Sequence, residues 1–264
     1  MMSEYWKRIG LENMPPATES GLRALQLAQR LSIPFENLDV RLGREIKLDH
    51  KTIFDKLVTR GRGGYCFEQN LLLANALETI GIPYRPALAR VWIGASSTPP
   101  LTHLVLLAQQ GKGIWLMDAG FGGGYCPPLL LANGSEVQAP DGSTYRLSSD
   151  PQLGWLLERD SGGQLARQFS FTESPVHYAD ILLSNHWTST HPTSRFKQHT
   201  VVNQISRFGR RSLMNNLMTN SAAPDEAVTI TTTNQLADIL LTEFGINLSV
   251  DEVRILAIQM GMDH

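Results

Sequence analysis

The sequence predicts an α+β fold, and three observations support that prediction. Apolar residues recur at helical spacing through most of residues 18–80. Short apolar runs separated by Gly, Pro, Asn and Ser follow over residues 87–158, a pattern typical of antiparallel β structure. Helical periodicity returns over residues 236–244 and 253–260. A chain of 264 residues is long enough to bury these elements around one large core or two smaller ones.

Composition is that of an ordinary globular protein. Hydrophobic residues make up 42% and charged residues 18%, and no run of about 18 apolar residues could span a bilayer. Lys and Arg number 23 against 25 Asp and Glu, and the formal net charge of -2 gives no overall basic surface. The first residues do not resemble a signal peptide, and two cysteines do not make a disulfide framework. We therefore expect a cytoplasmic protein without a nucleic-acid or membrane partner.

Three helices are expected in the first third of the chain. An apolar stripe runs over residues 18–31, and Pro34 ends it. Asp49 is the expected N-cap of a second helix. A third begins after Gly64 and ends at the Gly-Ile-Pro of residues 81–83, where Gly followed by Pro is a typical stop signal.

Short strands are expected next, followed by a mixed tail. Residues 174–196 show neither period and are interpreted as a connection. Two capping boxes open the helices of the tail: Thr232 with Gln235, and Ser249 with Glu252. The expected strands are residues 87–93, 101–108, 113–117, 144–147, 155–158, 200–205 and 227–231.

Cys66 is the candidate nucleophile. It follows Gly63 and Gly64 and opens the third expected helix, where unpaired amide groups and the helix dipole favour a thiolate. The position alone is weak support, since a lone cysteine is more often a small buried hydrophobe. A histidine and a carboxylate close to the thiol would complete a nucleophilic triad.

His103 and Asp118 are the candidate partners of that thiol. His103 interrupts an apolar strand, and Asp118 ends the following one. A two-residue turn at residues 110 and 111 would place His103 directly opposite Asp118 on one face of the hairpin. At that spacing the carboxylate can hold one imidazole nitrogen while the other faces the thiol. The residues therefore predict that Cys66 attacks, His103 moves protons and Asp118 orients the ring.

Several segments resemble the arylamine N-acetyltransferases. They agree with that family in order and spacing, and the resemblance covers roughly residues 5–210. The segments are residues 34–38 (PFENL), 62–70 (RGGYCFEQN), 118–122 (DAGFG) and 191–196 (HPTSRF).

This resemblance implies a Cys-His-Asp core like that of cysteine proteases. A helical bundle (residues 1–83) would carry the nucleophile, an antiparallel β-barrel (84–190) the His and Asp, and an α/β lid would fill residues 191–264. It implies ping-pong chemistry: acetyl-CoA acylates Cys66, and an arylamine, arylhydrazine or N-hydroxyarylamine then takes the acetyl group. Acetyl-CoA is thus the expected co-substrate, with no tightly bound cofactor and no metal. A homodimer is left open.

The same resemblance implies contacts with both substrates. Tyr65, Phe121 and Gly122 are expected at the acceptor, in an apolar slot that excludes water. Gly123 and Gly124 stand where relatives often carry larger residues, so a roomier or more mobile pocket mouth is expected. The expected CoA contacts are Thr102, Gly123, Gly124, Ser189 and Ser194.

The remaining candidates are assigned to structure. Glu36 and Arg62 are expected to form a scaffold ion pair beside the nucleophile loop. Cys126 shares no metal or redox spacing with Cys66 and is interpreted as structural. Loop histidines His186, His191 and His199 lack nearby acidic or thiol ligands. The basic cluster of Arg207, Arg210 and Arg211 favours a solvated loop over contact with CoA phosphates.

Three other functions remain open from the residues. Amide synthases of the same fold close macrolactams from carrier-bound acyl chains, and a triad does not separate them from transferases. A cysteine hydrolase or transglutaminase shares the order Cys, His, Asp, although the PFENL and GFG motifs argue against it. A non-enzymatic binding module would require the triad to be accidental. Acylation of Cys66 by acetyl-CoA would separate all three from the transferase.

Overall fold

Helices fill the first third of the chain in the computed structural model, which describes residues 2–206 and 209–262. The elements are α1 (Met2–Arg8), α2 (Glu19–Ser32), β1 (Phe35–Glu36), α3 (Leu38–Arg41), α4 (His50–Phe54), a π-helical turn (Asp55–Thr59) and α5 (Cys66–Thr79). Helices α2 and α4 start where the sequence predicts. The Thr18 hydroxyl accepts a hydrogen bond from Gly21 N–H at 3.2 Å, and the Asp49 carboxylate accepts one from Thr52 N–H at 2.9 Å.

Eight antiparallel strands form a nearly closed barrel in the middle of the chain. They lie in the order β5-β4-β3-β2-β9-β8-β7-β6, and the two end strands approach each other. The barrel core is apolar and includes Phe169, Phe171 and Tyr145. The strands are β2 (Tyr84–Val91), β3 (Leu101–Gln110), β4 (Gly113–Met117), β5 (Leu129–Leu130), β6 (Ser135–Gln138), β7 (Thr144–Asp150), β8 (Gly154–Ser161) and β9 (Gln164–Phe171).

The β3–β4 hairpin corrects the predicted register. Leu107 pairs with Leu116, so the two-residue turn lies at Gly111 and Lys112, one position later than predicted. Gly111 has φ of +60°, a backbone conformation that glycine adopts without strain at the first turn position. Because the register shifts, His103 and Asp118 are not direct partners. Asp118 directly follows Met117, the last residue of β4, and its side chain lies on the face of His103.

The last third adds a second sheet and two terminal helices. Its elements are α6 (Tyr178–Thr190), α7 (Arg195–Gln198), β10 (Val201–Ile205), β11 (Arg210–Met214), β12 (Leu217–Asn220), β13 (Val228–Thr229), α8 (Thr233–Phe244) and α9 (Val250–Gln259). The sheet order is β1-β10-β11-β12-β13, so its edge strand comes from the N-terminal segment through the pair Phe35 and Asn203. That pairing brings the PFENL segment and the nucleophile loop against the last third of the chain.

Residues 174–196 are not the irregular connection that the sequence predicts. Helix α6 spans most of them, capped by His177, whose backbone N–H donates to Asp180 at 2.8 Å. The apolar period is weak because Asn185 and Thr188 lie on the buried face, whereas Leu183 is 71% exposed. Strands β5, β6, β9, β11 and β12 and helix α1 were also not predicted.

None of the described helices is long and apolar enough to cross a membrane.

Candidate active site

Cys66 is the first residue of α5 and is almost completely buried. Its side chain is 3% exposed, and Sγ lies 3.6 Å from the carbonyl oxygen of Thr102 on β3. The start of the helix is anchored by Glu68, which accepts a hydrogen bond from Tyr65 N–H at 3.1 Å and binds Lys56 Nζ at 2.8 Å. These contacts fix the thiol at a helix N-terminus, where the helix dipole favours negative charge.

His103 and Asp118 form a buried hydrogen-bonded pair. His103 Nε2 lies 2.6 Å from Asp118 Oδ2, and the two residues are 2% and 5% exposed. The other carboxylate oxygen, Oδ1, accepts hydrogen bonds from Asn70 Nδ2 at 2.9 Å and from Gly120 N–H at 2.8 Å. Both oxygens therefore have donors, which holds the carboxylate in one orientation.

The pair keeps an imidazolium next to the thiol. Burial opposes a charged ring, but the charge and hydrogen bond of Asp118, followed by a hydrogen bond with Cys66, outweigh it and raise the pKa of His103 to about 10. A histidine that is cationic at neutral pH stabilises a thiolate beside it. The three side chains can therefore perform nucleophilic catalysis with a resident proton donor.

Asn70 is a positioning residue that sequence analysis missed. It is fully buried on α5, one turn after Cys66. Its Nδ2 donates to Leu104 O as well as to Asp118, and its Oδ1 accepts from Ala119 N–H at 2.8 Å. The helix that carries the thiol thus also holds the segment that carries the carboxylate. The i, i+4 spacing from Cys66 was the signal that could have revealed it.

A cavity of about 950 Å³ opens onto the thiol. Cys66 and His103 line its inner end, and aromatic rings enclose them: Phe121 and Phe169 each lie 5.2 Å from His103, centroid to centroid. Phe35 and the segment of residues 91–98 form further wall, neither of which sequence analysis proposed. The apolar rings offer no hydrogen-bond partners to water at this end of the cavity.

The cavity carries positive charge although the chain does not. Four arginines line it, and none of the described lining residues is a carboxylate. The arginines are Arg159, Arg167, Arg195 and Arg210. Such a lining favours an anionic ligand.

Five of the predicted contact residues line this cavity. They are Phe121, Gly122, Gly123, Gly124 and Thr102.

Three other predicted contacts lie outside the cavity lining, which corrects their assignment. Tyr65 is fully buried, its ring packs 5.7 Å from that of Phe196, and its hydroxyl donates to Asn185. The Ser194 hydroxyl caps α7, where it accepts from Phe196 N–H at 3.3 Å, and it is 2% exposed. Ser189 bonds its own helix, donating to Asn185 O at 2.8 Å.

The Gly-rich turn is tightly packed rather than roomy. A Cβ on Gly122 would lie 2.9 Å from the Phe35 ring, and one on Gly123 would lie 2.5 Å from the Phe121 ring. A Cβ on Gly124 would collide with the hydroxyl of Tyr145. The absence of side chains here lets three aromatic residues approach the turn, and their rings occupy the space that side chains would fill.

Glu36 and Arg62 form an ion pair below the nucleophile loop. Arg62 Nη2 lies 2.7 Å from Glu36 Oε1, with the two side chains 6% and 0% exposed. Asp39 extends this ion pair into a charge network, because Lys56 Nζ lies 2.8 Å from Asp39 Oδ2. Burial opposes ionisation of Asp39, but Lys56 and Arg62 outweigh it and lower its pKa to about 2. These charges connect the PFENL segment to α5.

The other singled-out residues form no metal site. No group of three His, Cys, Asp or Glu side chains among the described residues could hold a metal ion. Cys126 is a buried free thiol, and burial raises its pKa well above its usual value. His191 stacks on Trp187 with ring centroids 4.7 Å apart, and His199 hydrogen bonds Asn215. Arg207 lies outside the described residues.

Comparison with known proteins identifies the family. A family model described as N-acetyltransferase matches residues 20–253. The chain is 34% identical over 255 residues to the arylamine N-acetyltransferase / N-hydroxyarylamine O-acetyltransferase of Salmonella typhimurium, covering 95% of this chain and 89% of the relative. The chain belongs to the arylamine N-acetyltransferase family. It is therefore an enzyme of the acyltransferase class, which removes the non-enzymatic alternative.

Solved arylamine N-acetyltransferases have the same fold. The Salmonella typhimurium enzyme matches with a TM-score of 0.91 at 32% identity, over 98% of this chain and 97% of that one. The Mycobacterium marinum enzyme in complex with CoA matches with a TM-score of 0.91 at 30% identity, over 98% of both chains. The predicted α+β fold with a central barrel is confirmed.

Proposed function

We propose that this arylamine N-acetyltransferase moves an acetyl group from acetyl-CoA through Cys66 to an arylamine, an arylhydrazine or an N-hydroxyarylamine. Family membership supports the reaction class. The observation that carries the assignment to residues is the buried Cys66, His103 and Asp118 at the inner end of an arginine-lined cavity. Acetyl-CoA is a co-substrate, and no tightly bound cofactor is needed for the transfer.

In the first half-reaction the Cys66 thiolate attacks the thioester carbonyl. A new carbon–sulfur bond forms, the bond to the CoA sulfur breaks, and the departing thiolate takes the proton of the His103 imidazolium. One thioester replaces another, so little free energy separates the two states. Asp118 holds the ring through Nε2, which leaves the opposite nitrogen towards the thiol.

In the second half-reaction the neutral His103 acts as a base. The acceptor nitrogen, or the hydroxyl oxygen of an N-hydroxyarylamine, attacks the acetyl carbonyl and gives its proton to the imidazole. The Cys66 thiolate leaves, which restores the resting pair. The rings of Phe121 and Phe169 shield the thioester from water. An aromatic amine is a suitable acceptor because it is uncharged at neutral pH and can stack on such rings.

Phe121, Gly122 and Phe35 are proposed to contact the acceptor, since all three line the cavity. Thr102, Gly123 and Gly124 are proposed on the CoA side. Glu36 and Arg62 are proposed as scaffold. The division at residues 83 and 190, a cytoplasmic location, a homodimer and the lack of nucleic-acid or membrane partners stay predictions.

Steady-state kinetics with acetyl-CoA and hydralazine test the proposal. A ping-pong mechanism gives parallel double-reciprocal lines, and each substrate competes with the product of the other half-reaction. Intersecting lines would contradict an acetyl-enzyme. An amide synthase would instead take acyl groups from a carrier without CoA, and a hydrolase would release acetate when no amine is present.

A further inference from the structure

One end of the cavity holds more positive charge than its surroundings neutralise. Arg159 and Arg210 line it, and together with Gly123 and Gly124 they also line an adjoining cavity of about 80 Å³. Arg159 Nη2 binds Asp141 Oδ2 at 2.8 Å. Arg210, in contrast, has no carboxylate partner within the part of the chain that the structure describes.

The guanidinium groups at this end destabilise one another. Burial lowers the pKa of Arg210, and the nearby Arg159 lowers it further, while Tyr145 and Asp141 compensate only in part. Arg30 lies beneath them, 2% exposed, and donates to Phe121 O at 3.1 Å. Burial lowers the pKa of Arg30 as well, and Arg210 again contributes. An anion placed among these groups would relieve their repulsion.

The Tyr145 ring packs behind the Arg159 guanidinium. Tyr145 is fully buried and lines neither cavity, and Arg159 Cζ lies 6.0 Å from the centre of its ring. The Tyr145 hydroxyl lies against Gly124, and within the described part of the chain it is buried without a hydrogen-bond partner. Stacking on this ring holds the Arg159 guanidinium at the cavity wall.

We propose that Arg159 and Arg210 form a phosphate subsite for the acyl-CoA donor. The subsite rests on the proposed function. It holds the diphosphate or the 3′-phosphate of CoA while the pantetheine arm leads the thioester to Cys66. Guanidinium groups match phosphate oxygens in paired hydrogen bonds. Arg167 and Arg195 line the same cavity but are exposed, so water screens their charges.

Three acetyl donors test the subsite: acetyl-CoA, acetyl-dephospho-CoA and S-acetylpantetheine. The variants are Arg210→Gln and Arg159→Gln. Arg211→Gln is the matched control, because Arg211 lies next to Arg210 on β11 but binds Glu243 at 3.2 Å and does not line the cavity. KM and kcat are measured for each donor at saturating hydralazine, and melting temperatures report folding.

Arg210→Gln is expected to raise KM for acetyl-CoA at least about tenfold, as loss of a charge-assisted hydrogen bond does, with kcat little changed. Its KM for S-acetylpantetheine, which has no phosphate, should match that of the wild type. If KM of Arg210→Gln is also raised for acetyl-dephospho-CoA, the subsite binds the diphosphate. If KM for that donor matches the wild type, the subsite binds the 3′-phosphate. Arg159→Gln should raise KM for acetyl-CoA several-fold, which keeps the test open if Arg210→Gln does not fold.

Three results would overturn the subsite. KM for acetyl-CoA could stay unchanged in the folded variants, or KM could rise equally for all three donors. The third result is a rise in KM that is seen with 4-aminobenzoate as acceptor but not with hydralazine. The last would assign the arginines to an acceptor carboxylate. Failure of the proposed function looks different, since the wild-type enzyme would then use none of the donors.

Discussion

Replacing Asp118 with Asn removes the charge that keeps His103 protonated while preserving the shape of the side chain. Asp118 Oδ2 accepts from His103 Nε2 at 2.6 Å, and Oδ1 already has two donors, Asn70 and Gly120. An amide that keeps the Oδ1 contacts must turn its NH₂ group towards His103. The ring nitrogen facing it then has to be unprotonated, which places any remaining proton on the side of the thiol.

The structure sets the size of the effect. Asp118 is the main cause of the rise in the pKa of His103 from 6.5 to about 10, and this rise is equivalent to about 5 kcal/mol of preference for the imidazolium. In the variant only Cys66 still opposes the effect of burial, so the pKa of His103 falls well below its wild-type value. Because the proposed mechanism uses the imidazolium to protonate the leaving CoA, we expect kcat/KM to fall about 10³-fold.

The pH profile gives a second readout with a definite sign. In the wild-type enzyme His103 holds its proton until pH rises through about 10, so loss of this proton donor gives acylation a basic limb there. In Asp118→Asn the basic limb moves to lower pH. The assay is single-turnover CoA release from acetyl-CoA, with circular dichroism melts to verify folding. A variant within tenfold of wild type, or one with an unmoved basic limb, would refute this account of the pair.

Three further substitutions test other parts of the site. Cys66→Ser should reduce acetyl transfer below about 1% of wild type, because a serine hydroxyl is not ionised at neutral pH and is a poor nucleophile. Higher turnover would indicate another nucleophile. Glu36→Gln leaves the buried Arg62 unpaired and should lower the free energy of unfolding by about 3 kcal/mol, and unchanged melting and turnover would contradict its scaffold role. Gly120→Ala places a methyl group 2.6 Å from Cys66 Cα, a backbone clash that no rotamer relieves. We expect a folded protein in which the rate of Cys66 alkylation by iodoacetamide differs from that of the wild type. An unchanged alkylation rate would reject the close-packing argument.

The candidate triad was predictable because its signals are local. Glycines before Cys66 mark a helix start, and His103 and Asp118 lie on consecutive strands of one hairpin. The hairpin register was wrong, yet the shift of the partner by two residues preserved the shared face. Turn glycines fix register through backbone conformation, and the sequence offered two neighbouring turn positions without showing which one Gly111 occupies.

The features that the sequence did not predict depend on contacts between distant segments of the chain. Helix α6 was missed because its buried face carries polar residues in place of an apolar period. Asn185 donates to Ile46 O, and the Thr188 hydroxyl donates to Ser184 O of the same helix. Arg159 and Arg210 come from different sheets and meet only in the folded chain. Residue patterns along one segment do not report such charge clusters, and this is why Arg210 was interpreted as part of a solvated loop.

Intact-protein mass spectrometry after mixing the reduced enzyme with acetyl-CoA alone is the most direct test of the central claim. We expect one acetyl group on Cys66, stable until hydralazine or isoniazid is added and then discharged to the hydrazine. Peptide mapping assigns the site, with Cys126 as the internal control thiol. Failure of the reduced thiol at Cys66 to form an adduct, or an adduct that the hydrazine does not discharge, would contradict the account.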